Sequence, residues 1–152
     1  YKDTVFIIAG AGNGGENLDS CHFWPASFAG YPKLQHVISV AALDEHTRDR
    51  ASFSNYGQEV LVAAPGENIK VLIPGEDETT YMDGTSFSAP WVALRVAHLL
   101  YINRKDISPA EMNECIQRIT KKDGTHLQIK YGSMKKTAEW FHSDSIRNPC
   151  NP

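Results

Sequence analysis

Val5-Phe6-Ile7-Ile8-Ala9-Gly10-Ala11-Gly12-Asn13-Gly14-Gly15 is the stretch that decides the fold. A continuous β-rich apolar run passes straight into a glycine-rich turn. An apolar strand without alternation is one covered on both faces, the habit of parallel sheets in α/β proteins. Working outward, Val37 to Leu43 reads as a second strand of the same buried type. Val60 to Ala64 reads as a third, stopped by Pro65-Gly66. Ile69 to Ile73 reads as a fourth, stopped by Pro74-Gly75. Glu16 to Pro32 has no period and holds Pro25, Gly30 and Pro32, so it reads as loop. Asp44 to Arg50 is turn-like, and Glu76 to Asp83 is an acidic connection.

Helical signals follow. From Ala89 to Leu100 only Arg95 and His98 interrupt an apolar cylinder, which predicts a buried helix with Pro90 near its first turn. Ser108-Pro109-Ala110-Glu111 is a capping box with proline at the first helical position. Met112, Cys115, Ile116 and Ile119 then make one apolar stripe, with Gly124 just past the end. A further helix is expected around Met134 to Phe141, and 143–152 as an irregular tail. No linker divides the chain, so 1–152 reads as part of one domain.

The chain has 152 residues and a net charge of -3, which points away from nucleic acid and anionic membranes. No apolar run reaches the roughly 20 residues of a spanning helix. The chain opens Tyr1-Lys2-Asp3, without an initiator Met or a signal pattern, and is read as a piece of a longer protein. Cys21, Cys115 and Cys150 lie too far apart for a zinc site and are expected to be isolated thiols. The six histidines fall in no metal-ligand spacing.

Two stretches carry chemistry. Gly10-Ala11-Gly12-Asn13-Gly14-Gly15 fits the G-x-G-x-x-G dinucleotide fingerprint. That fingerprint needs a helix opening at the loop, because the pyrophosphate rests on the helix N-terminus. Glu16 to Pro25 has no helical period, and Asp44 comes too late to meet a ribose, so the structural context fails. The same glycines let a substrate chain lie close, and Asn13 offers an amide donor at the end of a parallel strand. Taken alone, Asn13 is as well explained as a turn-forming residue. The second stretch is Gly84-Thr85-Ser86-Phe87-Ser88-Ala89-Pro90. Taken alone, its hydroxyls read as an N-cap. They also suit a nucleophile, because a helix start offers orphan N–H groups and a dipole that stabilises negative charge.

Together these pieces resemble the subtilisin-like serine proteases. Ile8 to Asn13 looks like the family's strand ending in an oxyanion-binding asparagine. Gly30-Tyr31-Pro32 with Val37 to Ala42 resembles the segment beside the P1 pocket and the next strand. Ala51 to Gly57 and Ala63 to Gly66 are similar to two further family stretches, and Gly84 to Pro90 to the nucleophile motif. All five stand in the family's order. The resemblance implies a three-layer α/β fold, a parallel sheet flanked by helices, incomplete in this chain. It implies Ser86 as nucleophile, Asn13 as oxyanion donor and Thr85 as oxyanion support. Gly10 and Gly12 would flank the P1 side chain, Gly30 would lie at the pocket floor, and Pro32 would be cis. A polypeptide substrate and an extracytoplasmic location are also implied. No cofactor is identified, and structural calcium is expected by resemblance only.

A serine hydroxyl needs an adjacent base. In this family the order is Asp, His, Ser, so both partners are expected upstream of Tyr1. None of His22, His36, His46, His98, His126 and His142 sits in the family's His-Gly-Thr context. The upstream half of the domain is therefore the expected partner, and the chain alone is expected to be inactive. Trp91 and Leu94 replace the family's usual His and Gly. That departure keeps a non-catalytic, pseudoprotease reading open beside the enzyme.

Overall fold

The computed structural model describes residues 5–47, 49–75, 78–103, 107–123 and 126–129. Three strands form the parallel centre: β1 (Ile7–Gly10), β2 (Val37–Leu43) and β3 (Val62–Pro65). Ile7 lies opposite Val37, and Val40 opposite Val62. Two strands not anticipated from the sequence complete this sheet, β6 (Thr120–Asp123) and β7 (His126–Ile129), in the order β1-β2-β3-β7-β6. β7 runs parallel to β3, and β6 antiparallel to β7.

Burial of β2 explains its sequence. All seven of its residues are buried. On one face Ile38 and Val40 join Val62 and Ala64 against two helices, α1 (Thr85–Asn103) and α2 (Pro109–Ile119). These contribute Val92, Val96 and Leu99 from α1, and Met112, Cys115 and Ile116 from α2. On the other face the side chains are small. Ala9, Ala41, Leu43 and Ala63 pack under Leu18, Ala26 and Val60, so a loop layer lies close to the sheet there. Within that loop layer are two short 3-10 turns, Ala26–Gly30 and Pro32–Leu34. The cis peptide bond falls at Trp24–Pro25 rather than before Pro32.

Several elements differ from expectation. The fourth strand, β4 (Ile69–Leu72), is not in the main sheet. It makes an antiparallel hairpin with β5 (Thr79–Met82), inside the stretch expected to be a connection. α1 begins at Thr85, four residues before the expected start, so Pro90 lies inside it. Proline has no N–H for the Ser86 carbonyl four residues back. Nor is α1 buried all round. Ser86, Pro90, Leu94, Ala97 and Tyr101 form an exposed stripe, with Leu94 at 45% and Tyr101 at 74% of full exposure. β1 shows the same one-sidedness, because Ile7 is 42% exposed at the sheet edge.

The capping box is as expected. Ser108 Oγ accepts from Glu111 N–H at 3.3 Å, and Glu111 Oε2 accepts from Ser108 N–H at 2.8 Å. α2 ends at Ile119, five residues before Gly124. The thiols are not all isolated: Cys21 is free, but Cys115 is buried and disulfide-bonded. Gly124, the helix expected around Met134 to Phe141 and the 143–152 tail lie outside the described residues.

Candidate active site

The C-terminal end of β1 and the N-terminal end of α1 meet at one point. Their approach needs Gly10. A β-carbon there would stand 2.8 Å from Thr85 Oγ1 and 3.1 Å from the Thr85 carbonyl oxygen. The bare backbone lets Thr85 settle against the strand, where Gly12 N–H donates to Thr85 Oγ1 at 3.2 Å. The Thr85 hydroxyl then donates to Asn13 Oδ1 at 3.0 Å, and Thr85 N–H donates to the same oxygen at 3.0 Å. A backbone N–H can only donate, so the side-chain atom facing Thr85 is the carbonyl oxygen. Asn13 Nδ2 is thereby turned outward over Gly84, 3.5 Å from where a Gly84 β-carbon would stand. This contact also explains the early start of α1. Asn13 caps the first N–H of the helix from across the fold, a task usually left to the residue just before it.

Ser86 is the second residue of α1 and its side chain is exposed. Its N–H belongs to the first helical turn, ahead of the i→i−4 ladder. The turn before it is braced from below. Gly84 N–H donates to the Gly66 carbonyl at 2.7 Å, and Gly66 N–H to the Leu43 carbonyl at 3.3 Å. A β-carbon on Gly66 would stand 2.2 Å from Ser88 Oγ and 2.7 Å from Ala42 Cβ, so residue 66 fits only as glycine. Ser86, Asn13, Thr85, Gly10 and Gly12 are thus one cluster.

Gly30 is placed elsewhere. It lines a cleft of about 440 Å³ with Asp19, Gln58 and Glu59, and a β-carbon on it would stand 2.8 Å from Glu59 Cγ. The neighbours that Gly12 has instead are Asn55, whose Nδ2 stands 2.5 Å from the position of a Gly12 β-carbon, and Phe23. Its ring atoms stand 3.0 and 3.1 Å from the position of a Gly12 β-carbon.

Asn55 is a site residue to which the sequence attaches no visible role. It is 1% exposed and organises the whole glycine-rich turn. Its Nδ2 donates to the Ala11 carbonyl at 3.0 Å. Its Oδ1 accepts from Gly14 N–H at 3.0 Å and Glu16 N–H at 2.9 Å. Its own N–H donates to the Gly12 carbonyl at 2.9 Å. A buried amide whose oxygen and nitrogen are both hydrogen-bonded holds backbone rigidly, so the loop carrying Asn13 is fixed from both sides.

The histidines whose side chains are described have the following settings. His98 is twelve residues along α1 from Ser86, about 18 Å at helical rise. It lies 3.2 Å from an Arg95 guanidinium nitrogen, and burial, then that charge, lower its pKa. His22 stacks on Trp24 with ring centroids 5.2 Å apart. His36 precedes β2, at the opposite end of the parallel sheet from Asn13. His46 donates its N–H to Asp44 Oδ1 at 2.7 Å.

Trp91 is half-buried in a cleft of about 290 Å³ with Leu43, Pro65 and Ile69. The fold therefore has room for its ring. Glu67 at the same cleft has its pKa raised, first by burial and then by its hydrogen bond with Asp44. Backbone N–H bonds from Thr47 and His46 lower the Asp44 pKa. Among the described residues no three His, Cys, Asp or Glu side chains converge as metal ligands.

Known proteins share both sequence and architecture with this chain. The subtilase family model matches residues 1–133. A thermophilic serine proteinase of Bacillus sp. (strain AK1) is 40% identical over 127 residues, 83% of this chain and 28% of that protein. A cell wall-associated protease of Bacillus subtilis (strain 168) is 35% identical over 115 residues, 76% of this chain and 12% of that protein. The chain thus spans less than a third of the length of either relative. The prenylagaramide maturation protease PagA superposes with a TM-score of 0.61 at 30% identity, covering 79% of this chain and 42% of that one. A cold adapted subtilisin-like serine proteinase gives a TM-score of 0.66 at 23% identity, covering 82% and 44%, and shares the fold.

Proposed function

The chain belongs to the subtilase family, and from that premise we propose that it carries the nucleophile and oxyanion-binding part of a serine endopeptidase domain. Ser86 Oγ attacks the carbonyl carbon of a peptide bond and passes its proton to a base. The carbonyl oxygen becomes an oxyanion held by Asn13 Nδ2 and Ser86 N–H. Collapse of the tetrahedral intermediate expels the amine and leaves an acyl group on Ser86, which water then removes. One observation carries this reading: Thr85 ties Asn13 by its oxygen, which leaves the amide as a donor beside the start of α1. Donors fixed in advance where charge develops are the largest single source of such catalysis.

The base and the carboxylate that orients it lie upstream, in the order Asp, His, Ser. The settings of two described histidines support this, since His98 lies about 18 Å along α1 from Ser86 and His36 lies at the opposite end of the sheet from Asn13. The exposed stripe of α1 and the outer edge of β1 are where the upstream half packs and pairs. This chain alone is therefore inactive. The whole protein works on polypeptides outside the cytoplasm, as the cell wall-associated relative suggests. No helix among the described residues is long and apolar enough to cross a membrane.

A second reading is a non-catalytic relative. Leu94 favours it, because this exposed side chain stands two turns from Ser86 on the same helix face, where an incoming neighbour must pass. Fluorophosphonate labelling of the full-length protein separates the two. Labelling that Ser86→Ala abolishes is expected. No labelling of a folded full-length protein would establish the non-catalytic reading instead.

A further inference from the structure

The acyl group that reaches Ser86 carries its own side chain, and the walls around Asn13 restrict where that side chain can go. On the α1 side, Asn13 Nδ2 lies over Gly84, and the Phe87 ring stands 3.7 Å from where a Gly84 β-carbon would be. That side is closed by the start of the helix. The opposite side runs over Gly12, the residue next to Asn13, which has no side chain to block it. What stands there is Asn55 Nδ2, 2.5 Å from the position of a Gly12 β-carbon, and the Phe23 ring, 3.0 Å from it.

Phe23 does not swing freely at its backbone. Its N–H donates to Ser27 Oγ at 3.0 Å, and its carbonyl accepts from Ser27 N–H at 2.9 Å. Ser27 is completely buried. In the same loop Trp24 and Phe28 pack with ring centroids 4.4 Å apart, and Tyr31 meets Phe28 at 6.1 Å. Gly12 is fixed just as firmly through Asn55. The backbone on both sides of the contact is thus fixed, and the space opens only by rotation of the Phe23 ring, which is 43% exposed.

We propose that Phe23 is a specificity residue: its ring fills the recess beside Gly12 and restricts the residue before the scissile bond to a small side chain such as Ala, Gly or Ser. This rests on the reading of Ser86 as nucleophile and adds a substrate class to it. A large P1 side chain must rotate the Phe23 ring aside from a fixed backbone, whereas a methyl group fits beside it.

The test uses the full-length protein and paired peptide substrates that differ only in Ala or Phe before the cleaved bond. The native protein is expected to favour Ala by at least about tenfold in kcat/KM, on the scale of hydrophobic-pocket discrimination. Phe23→Ala should shift that ratio toward Phe by about tenfold or more, with Phe23→Leu intermediate. Both variants should keep fluorophosphonate labelling at Ser86. Labelled variants with an unchanged ratio, or a native preference for Phe, overturn the inference and leave the nucleophile reading standing. If Phe23→Ala does not fold, Phe23→Leu decides alone. Absence of Ser86 labelling in the native full-length protein overturns both.

Discussion

Thr85→Val tests whether Asn13 is positioned by Thr85. The substitution keeps the shape and removes one hydroxyl that makes two bonds, from Gly12 N–H at 3.2 Å and to Asn13 Oδ1 at 3.0 Å. Gly12 is buried, so its N–H is left without that partner. A buried donor left unpaired costs about 1–3 kcal/mol, and denaturant unfolding of the full-length protein should show a loss of that size. The catalytic effect is separate. Asn13 keeps the Thr85 N–H bond, so its amide is loosened and not lost. One neutral hydrogen bond is worth about 1 kcal/mol, which is roughly a fivefold slowing of Ser86 labelling. Asn13→Ala alone should slow acylation about 10²–10³-fold, the range seen when the oxyanion-binding asparagine of subtilisin, a member of this family, is removed. If Thr85 acts through Asn13, then Thr85→Val adds nothing further to the rate in the Asn13→Ala background. Four labelling rates complete the cycle. Equal slowing by Thr85→Val in both backgrounds would refute the proposed positioning.

Gly66→Ala should destabilise the full-length protein by about 1–3 kcal/mol through overpacking against Ser88 and Ala42. Because Gly66 also holds Gly84 N–H, Ser86 labelling should slow with it, and an unchanged melting temperature counts against the buttress. Asp44→Asn should destabilise most at neutral pH. The Asp44 pKa is lowered on folding, so its stabilisation is present above the unfolded carboxylate range and fades as pH falls through the lowered value. Melting temperatures of the two proteins should converge in acid, and a gap that widens there contradicts the assignment.

The sequence shows best what local physics decides. β2 is legible because its seven consecutive buried residues include a single polar one, Ser39, too small to disguise the strand. The cap of α2 is legible because Ser108 and Glu111 satisfy each other within one turn. The start of α1 is not, because the contact that sets it joins Asn13 and Thr85 across 72 positions. Asn55 stands in a family-like stretch without a legible role, since its partners lie 39 to 44 residues away. β5 reads as connection because Thr79–Met82 is largely exposed and lacks an apolar alternation. Phe23 is hidden in a loop without period, and resemblance directs attention to Gly30 instead.

The one-sided burial of β1 bears on how the molecule is made. Ile7 meets Val37 thirty residues further along, and β1 has no second neighbour in the described sheet. Parallel pairing over such separations forms late, after the loop entropy has been spent. Even after that pairing, an apolar strand edge and the Leu94–Tyr101 side of α1 stay open to water and to other chains. Such surfaces recruit chaperones in the cell and nucleate aggregates in a tube. Yield of soluble protein from this segment should therefore depend on nascent-chain concentration, and on the proposed reading co-production with an upstream half that pairs with β1 should lift it.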